Sequence, residues 1–146
     1  MTIARTRIGI VEWSRRVRGA VATELAAADA LGRLVATTSD VAARLALVAR
    51  ARRHAWRADE WESVVPVLHD VGLDPDDEIA DVHVADALER LRRAPDAAQA
   101  LAADRELGDA SVELWARWSD DARPVADVPY LRVIERTSHD VASQAG

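Results

Sequence analysis

The feature that most constrains this chain is a spacing. Val17, Val21, Glu24, Ala28, Leu31 and Val35 recur at alternating intervals of four and three residues, and Leu47, Ala51, His54, Ala58, Trp61, Val65 and Leu68 repeat the pattern. An α-helix turns once every 3.6 residues, so each series lies along one side of a helix. A strand alternates with period two and cannot align such a series on one face. Each run therefore predicts a long helix with one buried stripe, and several such stripes facing one another make a helical bundle.

Punctuation residues divide the chain into further helices. The first is expected over residues 10–36. Thr37-Thr38-Ser39-Asp40 breaks it and offers a side-chain cap to the next. The second is expected over 40–71, kinked by Pro66 and ended by Gly72. The acidic run Asp74-Pro75-Asp76-Asp77-Glu78 reads as a loop feeding a short helix over 77–93; it lacks the spacing and central glycine of a calcium loop. Pro95 restarts the chain into a long helix over 96–122, whose apolar arc includes Leu101, Leu107, Val112, Leu114, Trp115 and Trp118. A Pro-containing connection, 121–129, leads to a last helix over 129–143 that turns Leu131, Ile134, Ser138 and Val141 inward. The expectation is an all-α, up-down four-helix bundle with a short extra helix, in a single domain spanning 1–146.

Composition excludes several classes. The chain has 146 residues and a net charge of −6, which disfavours a nucleic-acid partner, because such binding rests on neutralised phosphates. No apolar run approaches the ~18 residues of a membrane span, and none follows Arg5 and Arg7 to make a secretory leader. There is no cysteine, hence no disulfide, thiolate site or thiol nucleophile, which suits a reducing cytoplasm. Every basic residue is arginine. Arginine and the abundant alanine are both strong helix formers, and this usage also suits a GC-rich genome.

Two residues break the seams. Glu24 and His54 occupy positions that should be apolar, each near the middle of its helix. A buried carboxylate or imidazole must be paired, hydrogen-bonded or metal-bound. His139 lies near the core edge of the last helix, with Glu135 one turn before it, and Asp109 lies at the edge of the arc on the remaining long helix. One polar residue per helix at a common level is how bundles build metal sites. A hydrogen-bonded Glu24–His54 pair without metal satisfies the same seam. Trp56 lies almost opposite His54 on an otherwise charged face and reads as a covered or subunit-contact residue.

The run Glu24-Leu25-Ala26, the break at Thr37 to Asp40, His54, Val71-Gly72-Leu73-Asp74-Pro75, Gly108-Asp109-Ala110 and Thr137-Ser138-His139-Asp140 resemble actinobacterial ferritin-like proteins related to the bacterial tRNA methylthio-isopentenyladenosine hydroxylases. The resemblance spans about residues 10–142. It implies a di-iron bundle in which Glu24 is the lone carboxylate of the first helix, His54 and His139 the histidines of Glu-x-x-His pairs, and Asp109 the third-helix acid. Two departures stand out: Ala51 and Arg136 occupy the positions of the bridging carboxylates. Two close cations need several anionic ligands, so a standard di-iron centre is not expected. Three readings follow. One is a metal-free, degenerate bundle acting as an interaction or regulatory module, dimeric through Trp56. In this reading Arg136 would stand where a cation sat. The second is a mononuclear Fe, Mn or Zn protein, or hydroxylase-like oxidoreductase, using Glu24, His54, Asp109 and His139, with room for a small-molecule ligand. The third is a metal-free acid–base enzyme with His54 oriented by Glu24.

Overall fold

The computed structural model describes residues 9–66 and 81–145. Those residues form five helices: α1 (Ile10–Val35), α2 (Val41–Glu62), α3 (Val82–Arg93), α4 (Ala97–Asp121) and α5 (Val128–Ser143). There is no strand among them. No helix among the described residues is long and apolar enough to cross a membrane.

Local chemistry fixes the helix starts. The side chains of Asp40, Asp81 and Asp96 accept hydrogen bonds from the backbone N–H groups of Ala43, Val84 and Gln99. Each satisfies a donor that the first helical turn leaves without a partner. The short connection 36–40 folds α2 back along α1, and these two make the most extensive helix pair. Glu24 meets His54 and Arg57, residues nearly equidistant from the turn, which is the register of an antiparallel pair. The short α3 packs on α4 and α1, and α5 closes the bundle against α4 and α2.

α2 is shorter than its apolar spacing predicts. It ends at Glu62, and residues 63–66 form a turn in which Val64 and Val65 donate to the carbonyls of Trp61 and Glu62. Pro66 therefore does not kink a continuing helix. The residue before a proline is pushed out of the α region by the ring, so the helix stops short of it. The expected helix end at Gly72, the acidic loop and Leu68 lie outside the described residues. α3 begins at Val82 rather than at 77.

The core has two apolar parts. One is built from small and aliphatic residues: Ala27, Ala30, Leu31, Leu47, Val84, Leu88, Leu91, Ala100 and Leu107. The other holds the indoles of Trp13, Trp61, Trp115 and Trp118, with Val17, Val133 and Ile134. In it Trp13 stacks on Tyr130 at 4.4 Å and meets Trp118 edge to face at 6.5 Å between ring centroids. Along α1 the charged residue between the two parts is Glu24, and along α2 it is His54 with Arg57; on α4 Asp104 lies within the first part, between Ala103 and Leu107.

Candidate functional site: a buried ion network

On α1 and α2 the level between the two apolar parts is occupied by charge. Glu24, His54, Arg57, Asp104 and Asp140 are each no more than 5% exposed. Four helices supply them: α1, α2, α4 and α5. A carboxylate in a dry interior is tolerated only with hydrogen-bond donors aimed at it, and here each has them.

His54 is the centre. Its Nδ1 lies 2.5 Å from Glu24 Oε2 and its Nε2 lies 2.5 Å from Asp104 Oδ1. A neutral imidazole carries one N–H and can donate to only one of them; the imidazolium donates to both. Burial pulls the His54 pKa down, but the hydrogen bonds it donates to Asp104 and Glu24 outweigh it and hold the value above the ordinary 6.5. Arg57 opposes this charge. Its Nη2 approaches Nδ1 to 2.9 Å, a cation beside a cation, which lowers the histidine's pKa.

Arg57 joins the remaining acid. Its Nε donates to Glu24 Oε2 at 3.1 Å and its Nη1 to Asp140 Oδ2 at 2.6 Å. Arg53 donates to the other Asp140 oxygen at 2.5 Å, and Arg50 reaches Asp104 at 3.5 Å and Gln144 at 2.8 Å. Gln144, the C-cap residue of α5, in turn donates to Asp140 at 3.1 Å. Three carboxylates thus face Arg57 and His54 inside, and Arg50 and Arg53 reach two of them from the rim. Glu24 Oε1 accepts no hydrogen bond among the described residues.

The pairing of Glu24 with His54 is as the seams predict. The other two expected ligands are not at this site. Asp109 is exposed and borders a shallow cleft with His83, Asp86 and Arg90 of α3. Asp104 supplies the α4 carboxylate instead; five residues apart, the two point about 140° away from each other around the helix. His139 is also exposed, beside Arg53, Trp56 and Arg132, and the buried residue of that turn is its neighbour Asp140. Arg136 does not enter the site. It is exposed and lies 3.1 Å from Glu60, and the guanidinium among the carboxylates belongs to Arg57.

The donor set does not fit a metal ion. Both ring nitrogens of His54 face carboxylates, and a guanidinium fills the space between Glu24 and Asp140. No group of three or more His, Cys, Asp or Glu among the described residues is arranged to hold a metal. Nor does the ring offer a free nitrogen to a substrate, as a general base requires. Comparison with known proteins adds no precedent: no family model, curated protein or solved structure matches this chain.

Proposed function

We propose that this chain is a ferritin-like bundle that works without metal, in which Arg57 and protonated His54 hold the positions of cations, and that it serves as a homodimeric interaction or regulatory module. The position of Arg57 carries the first half of this reading. Its guanidinium bridges carboxylates from α1 and α5 in the dry centre of the bundle. A side-chain cation fixed there removes the electrostatic reason for binding an external one.

The second half rests on the outer face of α2. Val41, Leu45, Val48 and Trp56 follow one another at helical spacing, with Arg52 between the last two, and are 37–66% exposed. An apolar stripe on a surface helix, here interrupted by Arg52, favours burial against a partner. The charges select a second copy. Arg44 lies near the start of α2, and Asp59 and Glu62 lie near its end, all exposed. A two-fold axis near the helix middle sets each end of α2 against the opposite end of its mate, so arginine meets acid twice.

Two measurements test this reading. Protein purified without chelator should contain no stoichiometric iron, manganese or zinc, and adding these metals should leave its melting temperature unchanged. Light scattering should give twice the chain mass for the wild type and the single chain mass for Leu45→Glu and Trp56→Ala. Stoichiometric metal would sink the first half; a monomeric wild type, or an assembly indifferent to both substitutions, would sink the second.

A further inference from the structure

A cavity of about 480 Å³ opens between α1, the start of α3 and the second half of α4. That volume lies in the range of small-molecule sites. Ala20, Val84, Leu114, Trp115 and Trp118 give it apolar walls, and Gly19 leaves one side of α1 bare. A Cβ added at Gly19 would meet nothing within 4 Å.

The polar groups at the cavity are unevenly committed. Arg16 is held by Glu12 and Asp121 at 3.3 and 3.1 Å through Nε and Nη2, its Nη1 being buried without a partner among the described residues, and Arg117 is held by Asp81. Thr23 donates to the Gly19 carbonyl. Two buried residues of the lining keep unused acceptors. Glu24 is 3% exposed and spends only Oε2 on His54 and Arg57; Ser111 is 5% exposed, and its hydroxyl makes no hydrogen bond among the described residues. Neither atom is sealed off from the cavity; the Glu24 oxygen can only accept, so it favours a ligand that donates, and the Ser111 hydroxyl can accept from the same ligand.

We infer that this cavity binds a small organic ammonium ion with an apolar, aromatic-sized body, its N–H groups donating to Glu24 Oε1 and Ser111 Oγ and its body resting on Trp115 and its apolar neighbours. An anion is rejected by the Glu24 carboxylate. A bare metal ion finds too few oxygens. A neutral hydrocarbon leaves both acceptors unsatisfied. The site is separate from the α2 face, so its test is independent of the dimer.

The probe is phenethylammonium, titrated into the full chain and followed by calorimetry and by indole fluorescence, since Trp115 and Trp118 border the cavity. Saturable one-to-one binding is expected. 2-Phenylethanol should bind about tenfold more weakly, the loss of one charge-assisted hydrogen bond, and 3-phenylpropionate should not bind. Glu24→Gln also disturbs the ion network, so the decisive variant is Gly19→Leu. It fills the cavity without touching the network and should abolish binding with an unchanged or higher melting temperature. Ser111→Ala should weaken binding severalfold. Absence of saturable binding, equal affinity for all three probes, or full binding by folded Gly19→Leu would each overturn the inference.

Discussion

Two carboxylates bracket His54 and favour its protonated form, and this links the bundle's stability to pH. Its folded pKa is raised above the 6.5 of an unperturbed histidine, despite the burial that opposes it. The stability from that shift is fully present below the unfolded value and is lost as pH rises through the folded one. The thermal midpoint should therefore fall as pH is raised above about 6.5, the ordinary histidine value. The ring proton resonances of His54 should titrate above that value; titration at or below it would contradict the bracketed imidazolium. Replacing His54 by Gln leaves Glu24 and Asp104 without the cation between them, which costs about 3–5 kcal/mol. Arg57→Ala should cost as much, read from denaturant unfolding, because Glu24 and Asp140 both lose a donor. Glu24 and His54 were legible because each interrupts a clean apolar seam. Asp104 sits on an equally clean seam, Ala97, Ala100, Asp104, Leu107, Ser111, Trp115 and Trp118. It was hidden by reading Leu101 and Val112 into a broader arc. Arg57 was not legible at all: an arginine beside an inward alanine looks like solvated surface, and only three-dimensional placement shows its partners.

At the scale of elements, apolar spacing and punctuation residues together located every described helix but not every end. The series through Val65 continues past Glu62 because side-chain periodicity records which face is apolar, not whether the backbone is still hydrogen-bonded. The steric demand of Pro66 decides that end. The start of α2 is legible, because the capping Asp40 is a specific chemical signal; that of α3 is not, since the acidic run before it points to 77 and the cap is Asp81. Asp40→Ala should lower stability by about 1 kcal/mol without changing the fold, measurable as a shifted denaturation midpoint. Asp127, before α5, does not cap the helix with its side chain but binds Arg123. It accepts from the backbone N–H of Arg123 at 2.8 Å and from the guanidinium at 3.1 and 2.9 Å. The Arg123 side chain holds its pKa below the usual carboxylate value. Stability from a depressed acid is present above its unfolded pKa and is lost as pH falls through the folded one. Wild type should therefore lose stability on acidification more steeply than Asp127→Asn; equal acid slopes would show that the Arg123 contact contributes nothing.

For the whole molecule, the ion network draws directional contacts from α1, α2, α4 and α5, and on α1 and α2 it lies between an alanine-rich core and a tryptophan-rich one. Apolar packing alone tolerates sliding of one helix past another, and small alanine side chains offer little to resist it. Hydrogen bonds with defined partners do resist it, so the layer fixes register even where it adds little net stability. Buried ion pairs replaced as a set by apolar residues of similar volume are often neutral to about 4 kcal/mol more stable, whereas removing one partner is severe. The combined variant Glu24→Leu, His54→Leu, Arg57→Met, Asp104→Leu and Asp140→Leu should accordingly remain helical and melt at or above the wild-type temperature. Its transition should broaden and its amide resonances lose dispersion, because the contacts that single out one helix register are gone. A combined variant that is unfolded at 25 °C would show that the network supplies net stability; one as sharply cooperative as the wild type would show that the two apolar cores set the register unaided.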